Sequence, residues 1–400
     1  MLNKKNFRDR CPGVITQQVS CELGVTHLQE GFLGIILYVT FAFTVGLSGY
    51  LSERFGRRLI MLIALYTSIL FTVFCAIVPN YYTLLLSRAL TGLCVGLNDT
   101  TIGVYFAESV SSRKAYKIGT SLQSISIPLG GGCIALLGYA MLDWIGWRPF
   151  ILITSIPFSL PPLKMLHCCL EDSVPGTSNV ECTEEEDAVP ARVENFRWRV
   201  LSLTASSFIG TLQGYGAILL LPALIRKNNE DLDLGEQLTN HNTNELLEDM
   251  QCANTVHGSQ LLIIALITGV ANILGRVAGY FIRGKGRFRT VHSILATMLT
   301  VSYALLVFQS GLVITVVAMG TATFIYSMMT LEFWIIAFDQ QYFGSERVAT
   351  AIAISWTIGM FGAVVGTSFA VFMGPDVAVM LTFVLSFIMI GVICTFKDKQ

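Results

Sequence analysis

The sequence has little charge for its length. Asp, Glu, Lys and Arg make up only 13% of its 400 residues, whereas soluble domains contain about a quarter. The net charge of -1 excludes the basic excess of a nucleic-acid-binding protein. Because 53% of the residues are hydrophobic, the composition indicates a membrane protein.

Motifs of soluble enzymes are also missing. There is no metal-ligand spacing, no phosphate-binding loop and no nucleophile elbow, and the five histidines do not cluster. Ten cysteines in a chain this long do not make a disulfide scaffold, and several lie inside apolar segments, where packing explains them. No apolar core follows the basic first ten residues, so no cleavable signal peptide is visible. We predict no enzymatic activity, no cofactor and no metal site.

Long hydrophobic runs are abundant. A helix needs about 20 apolar residues to cross about 30 Å of hydrocarbon, and eleven segments of about that length occur. They are predicted at about 31–52, 59–78, 82–107, 118–142, 148–167, 199–225, 259–282, 290–309, 312–338, 348–373 and 376–396. Only a helical bundle satisfies the backbone of so many buried segments, so the predicted fold class is an all-α membrane protein.

A cluster of charge framed by glycines separates the first two spans. Gly49 and Gly56 permit close backbone approach and positive φ, so the segment is predicted to form a tight turn in which Glu53 can pair with a neighbouring arginine. The arginines of this segment are Arg54, Arg57 and Arg58.

Basic residues set the orientation. The short loops on the side of the Glu53 turn carry eleven Lys and Arg residues, whereas those on the opposite side carry only Arg148. The positive-inside rule therefore places the Glu53 turn in the cytoplasm and the segment before Gly31 outside. The predicted parts are an external segment 1–30, an N-terminal helix bundle 31–167, a cytoplasmic linker 168–198, a C-terminal bundle 199–396 with an external loop 227–257, and a cytoplasmic tail 397–400.

The turn has a second, degenerate copy in the back half. Gly279, Gly286 and Arg287 align with Gly49, Gly56 and Arg57, but Arg283 stands where the acidic residue would be. Two copies at matching places imply two six-helix halves with the substrate site near the membrane midplane between them.

The spacing G-x-x-x-E-R-x-G-R-R resembles the loop between the second and third helices of the major facilitator superfamily of transporters. Further similarities lie in R-x-x-x-G-x-C-x-G from Arg88 to Gly96, in the Y-F-A-E ending at Glu108, in Gly146-Trp147-Arg148, and in 338–347, which keeps Tyr342 and Arg347. The resemblance implies the major facilitator fold. It also implies a gating role for Gly49, Glu53, Arg54, Gly56, Arg57, Arg58, Glu108, Gly279, Gly286, Arg287 and Arg347.

Two segments resemble one particular group within the superfamily. Residues 21–31 and 208–220 are similar to the synaptic vesicle glycoprotein 2 and related-protein group, and organic ion and sugar porters share much of the pattern. The family has twelve helices, and polar residues stand here in place of the first. We therefore expect a fragment, a mis-started gene model or a short isoform.

Ionisable residues inside spans are the candidates for transport chemistry, because each is costly in hydrocarbon and usually faces a cavity or a partner. Arg88 and Asp99 are about three helical turns apart and so lie on similar faces. Asp99 is the candidate proton-binding or cation-binding carboxylate, and Glu332 is its counterpart in the back half. A structural ion pair with Arg276 is the alternative for either carboxylate.

Polar and aromatic neighbours complete the candidate site. Asn98 could hydrogen-bond a ligand. Trp334, Trp356 and Tyr215 could add aromatic lining, although lipid or helix packing is the stronger explanation for aromatic residues. The candidate lining residues are Asn98, Gln213, Tyr215, Trp334 and Trp356. Pro128 with Gly130-Gly131-Gly132 forms either a helix bend at a gate or a close helix contact through small residues.

The sequence as a whole favours a transporter that moves a small polar or charged solute by alternating access, with protons as a candidate coupling ion, in a vesicle or plasma membrane. Its expected partners are the solute and the lipid bilayer, without nucleic acid. Two alternatives stay open: a vesicle-membrane interaction or regulatory protein without transport, and an organic ion or sugar carrier of the plasma membrane.

Overall fold

The computed structural model describes residues 19, 22–109, 113–168, 196–237, 266–282, 288–308, 311–337 and 348–394. Eleven α-helices lie within these ranges. They are α1 His27–Phe55, α2 Arg57–Ile77, α3 Tyr81–Ser109, α4 Arg113–Ile145, α5 Trp147–Cys168, α6 Phe196–Gln237, α7 Asn272–Ile282, α8 Phe288–Phe308, α9 Leu312–Ala337, α10 Val348–Phe372 and α11 Gly374–Cys394. A π-helical turn, Leu266–Ala271, leads into α7.

Each predicted span corresponds to one of these helices, which confirms the all-α membrane fold. Eight of the described helices are long and apolar enough to cross a membrane. The other three are α3, which carries Arg88 and Asp99 near its middle, α6, and α7, of which eleven α-helical residues are described.

Local hydrogen bonds set the start of α1. Thr26 caps the helix: its hydroxyl accepts from the Gln29 amide, and the Gln29 side chain accepts from the Thr26 amide at 2.9 Å. This capping box satisfies two backbone donors, and α1 begins at His27, four residues before the predicted start of the membrane span at Gly31.

The turn between α1 and α2 is shorter than predicted. Gly49 lies inside α1, which continues to Phe55, and only Gly56 leaves the helix, with φ of 88°. A positive φ is easily adopted by glycine, so this single residue separates the two helices. The prediction of a turn beginning at Gly49 was wrong because a glycine inside a membrane helix does not by itself end it.

Helix α6 runs beyond its apolar part. It was predicted to end near residue 225 but continues to Gln237, so the first part of the predicted external loop 227–257 is helical. Hydropathy marks where the hydrocarbon ends, whereas Lys, Glu, Leu and Gln are strong helix formers on either side of that boundary. Residues 238–257 lie outside the described residues.

The helices pack in two groups. In the front group α3 packs on α1 and α2, and α5 packs on α2; in the back group α6 packs on α10, α7 on α9, and α8 on α9 and α11. The groups meet mainly along α1 with α10, and along α4 with α7 and the π-helical turn. The largest buried apolar cluster lies in the back group and includes Leu203, Leu299 and Met329.

Candidate functional site

Asp99 lies where the two groups of helices meet. It is half-buried on α3, and the indole of Trp356 on α10 faces its carboxylate. The ring of Tyr215 on α6 lies within electrostatic reach of the same carboxylate. A carboxylate of the front group therefore has two aromatic side chains of the back group as neighbours.

A pair of tyrosines links Arg88 to Asp99. The rings of Tyr38 on α1 and Tyr215 on α6 meet edge to face, with centroids 5.0 Å apart. Tyr38 is an electrostatic neighbour of Arg88, and Tyr215 is a neighbour of Asp99. Both tyrosines, with Trp356, pack against an apolar cluster formed by α1 and α10. The structure thus brings the two predicted ionisable residues of α3 to one aromatic surface.

Glycines on α3 determine how closely that helix approaches α1. A Cβ atom on Gly92 would overlap Thr40 and the backbone of Leu37, and one on Gly96 would lie 2.8 Å from the carbonyl oxygen of Phe41. Small residues that let helix backbones touch are a recurrent way of packing membrane helices. The glycine pattern that follows Arg88 therefore holds α3, and with it Asp99, against α1.

Arg276 supplies a cation from the back group. It lies on α7, its side chain is only 8% exposed, and its electrostatic neighbours are the hydroxyls of Tyr215 and Tyr326. Within the described residues it forms no ion pair with Asp99. The alternative of a structural Asp99–Arg276 pair is therefore not the arrangement seen here.

The structure describes the remaining candidate residues to different extents. Gln213 is buried within the back group, where its amide donates to the carbonyl oxygen of Thr382 on α11 at 3.2 Å. The side-chain oxygen of Asn98 is buried without a hydrogen-bond partner. Glu332 and Trp334 lie on α9, and their side chains are outside the described part of the chain.

The charged turn around Gly56 has a structural role as well. Arg58 donates to the carbonyl oxygens of Leu166 and His167 at 3.1 and 2.9 Å, and so satisfies carbonyls left free at the end of α5. Arg57 is buried, whereas Arg54 is exposed and donates to the hydroxyl of Tyr50 at 3.2 Å.

The predicted pairing of Glu53 was wrong for this conformation. Its carboxylate is exposed, and it forms no ion pair with a described arginine, because α1 stays helical here and directs it to the surface. Gly279 lies inside α7, and its lack of a side chain lets the helix pack closely on the backbone of Met328 of α9. Glu108 lies on α3, whereas Gly286, Arg287 and Arg347 lie outside the described residues.

Two residues of the site were missed by the sequence interpretation. Tyr38 and Tyr326 have no charge and occur in apolar spans, so hydropathy does not distinguish them from packing residues. Gly214 on α6 could have indicated the contact with Tyr326, because a Cβ atom on Gly214 would overlap the Tyr326 ring. The glycine before Tyr215 thus marks a close aromatic contact.

Apolar helices in two groups, with ionisable and aromatic residues buried between them, define a polytopic membrane protein of the transporter class. The sequence model of the Major Facilitator Superfamily matches residues 11–367. The chain belongs to the major facilitator superfamily, whose members are transporters and not enzymes, and it is an integral membrane protein. This confirms the family predicted from the motif around Glu53.

Individual relatives match over shorter regions. The Gentisate transporter of Corynebacterium glutamicum is 23% identical over 220 residues, which are 53% of this chain and 49% of the relative. Synaptic vesicle glycoprotein 2A of Rattus norvegicus is 26% identical over 160 residues, which are 36% of this chain and 21% of the relative. The chain thus spans about half or less of the length of these relatives.

A solved structure shows the same fold along most of the chain. The human organic anion transporter MFSD10 (TETRAN) superposes with a TM-score of 0.64 at 15% identity, covering 94% of this chain and 87% of that one. At this identity the similarity concerns the fold.

Proposed function

We propose that the protein moves a small polar or charged solute across a vesicle or plasma membrane by alternating access. The observation that carries this proposal is the position of Asp99, a front-group carboxylate facing Trp356 and Tyr215 of the back group. A solute bound here touches both groups, so rocking one group against the other changes the side to which the site opens.

The division into moving units follows the packing. The units are residues 31–167 and 199–396, joined by the cytoplasmic linker 168–198. Helices within each group share long contacts, whereas the groups meet along two seams, α1 with α10 and α4 with α7. Two separate seams allow one to open while the other stays closed.

Asp99 is the proposed coupling residue. A carboxylate half-buried in a membrane protein can lose its charge by binding a proton, or a bound cation can balance that charge. Proton coupling through Asp99 would link uptake of the solute to a pH gradient. The gentisate and organic anion transporters named above carry organic acids by name, which makes organic anions the first solutes to test.

Transport is tested with the purified protein in liposomes. We expect saturable, gradient-dependent uptake, and loss of pH-driven uptake in Asp99→Asn with solute exchange at equal pH retained. Asp376→Asn is the matched control, because this carboxylate is exposed at the start of α11. Unchanged pH-driven uptake in Asp99→Asn rules out the coupling role, and no saturable flux favours a vesicle-membrane protein without transport.

A further inference from the structure

Arg276 is a buried guanidinium without a counter-charge among the described side chains. It is 8% exposed, its Nε has no hydrogen-bond partner, and no described Asp or Glu forms an ion pair with it. Taking an unpaired charge out of water is strongly unfavourable. A buried cation in a membrane span, without a counter-charge among the described side chains, is explained by an anionic ligand.

Close helix packing fixes the position of Arg276. A Cβ atom on the adjacent Gly275 would overlap the carbonyl oxygen of Phe324 on α9. One turn earlier, Asn272 accepts a hydrogen bond from Ser327 of α9. Since residues four apart share a helix face, these contacts hold Arg276 beside α9.

The aromatic partners are held equally firmly. The ring of Tyr326 occupies the space left by the missing side chain of Gly214 on α6. Tyr215, the next residue, lies within electrostatic reach of Tyr326, and its ring meets the ring of Tyr38 edge to face. Close helix packing thus positions Arg276 and Tyr326 before any ligand binds, which lowers the cost of binding.

We propose that Arg276, Tyr215 and Tyr326 bind the carboxylate of a small organic anion, which is the transported solute; this inference rests on the proposed transport function. A guanidinium presents paired N–H donors that match a carboxylate, and phenolic hydroxyls can donate further hydrogen bonds. The tyrosine rings offer apolar surface to the body of the ligand.

The same geometry discriminates against other solutes. An ammonium group beside Arg276 meets a like charge, and an uncharged amide leaves the guanidinium without a counter-charge. A site built around a buried ionic group rejects analogues that lack the matching group more strongly than an apolar pocket rejects a change in size. Selectivity is therefore expected to follow the charge of the solute.

The test compares three probes with one ring and different charge: benzoate, benzamide and benzylamine. Binding to the purified protein is measured by the rise in Tm, and transport by competition for uptake in liposomes. We expect benzoate alone to bind and compete. Arg276→Gln should weaken benzoate binding at least tenfold, Arg276→Lys should weaken it less, and Tyr326→Phe, which keeps the ring, should weaken it several-fold.

The outcomes separate the two proposals. Equal benzoate affinity in wild type and Arg276→Gln, no benzoate binding to wild type, or preference for benzylamine would overturn the carboxylate site. Benzoate binding that depends on Arg276, without flux of any solute, supports the site and contradicts transport. Saturable flux without preference for carboxylates supports transport and contradicts the carboxylate site. If Arg276→Gln does not fold, the benzoate affinities of Arg276→Lys and Tyr326→Phe test the carboxylate site instead. The control Asp376→Asn should bind benzoate like the wild type.

Discussion

Gly132 and Gly269 meet backbone to backbone between the two groups of helices. A Cβ atom on Gly132 would lie 3.5 Å from the Cα atom of Gly269, and one on Gly269 would lie 3.3 Å from the Cα atom of Gly132. Gly132 is on α4 and Gly269 is in the π-helical turn before α7. Single π turns occur frequently at functional sites, and this one lies on a seam that the proposed alternating access would open or close.

Gly132→Val should slow transport, because its methyl groups would force α4 and the π-helical turn apart. Gly131→Val is the matched control, since a Cβ atom there meets nothing within 4 Å. We expect at least a tenfold lower uptake rate for Gly132→Val and near wild-type uptake for Gly131→Val, measured in liposomes at equal protein content. Equal rates in both variants would show that the contact has no role in the cycle.

Gly214→Ala should destabilise the back group, because the new methyl group overlaps the Tyr326 ring. Overpacking of this kind costs about 1–3 kcal/mol. At Gly210 a Cβ atom would lie 3.6 Å from the same ring, an ordinary contact, so Gly210→Ala should be neutral or slightly stabilising through its higher helix propensity. Thermal unfolding of the two variants checks the difference, and Tyr326→Leu should rescue Gly214→Ala if the ring is the obstacle.

Arg148 links the segment before α1 to the end of α2 through an ion pair and hydrogen bonds. It donates to the carbonyl oxygens of Ala76 and Val78 at 3.0 and 2.8 Å and pairs with Glu22 at 3.1 Å. Glu22 also accepts a hydrogen bond from the indole of Trp147.

Arg148→Ala should therefore lower stability by about 1–3 kcal/mol, as expected for lost hydrogen bonds from a charged group. Glu22→Gln should cost less, about 0–1 kcal/mol, because the ion pair is partly exposed. A double-mutant cycle on Tm measures the coupling. A larger loss for Glu22→Gln than for Arg148→Ala would contradict this assignment.

Arg58→Ala should loosen the end of α5, because the carbonyl groups of Leu166 and His167 lose their donor. Arg54→Ala is the control from the same turn, since Arg54 is exposed and its contacts among the described residues are with Tyr50 and Phe55 of its own helix. Hydrogen exchange of the last turn of α5 should increase in Arg58→Ala and stay unchanged in Arg54→Ala. Identical exchange in both variants would show that Arg58 does not stabilise the end of α5, and would leave the turn only its role in membrane orientation.

The sequence pointed to ionisable candidates for the site but to only some of their neighbours. Arg88 and Asp99 stand out because charge is rare in apolar spans, whereas Arg276 was predicted only as the partner of a structural ion pair. Tyr38 and Tyr326 do not stand out, since an aromatic residue in a span looks the same whether it faces lipid, a helix or a solute. Gln213 remains a predicted lining residue; the structure adds that its amide donates to the Thr382 carbonyl inside the back group.

The sequence by itself determined the order of the described helices and the family. Each membrane helix satisfies its backbone groups within its own segment, so length and hydropathy suffice to locate it. Only the tertiary structure decided that Trp356 faces Asp99, that Tyr38 meets Tyr215, and that Arg276 has no carboxylate partner among the described residues. Lipid and neighbouring helices are equally apolar, so hydropathy does not reveal which face of a span meets which helix.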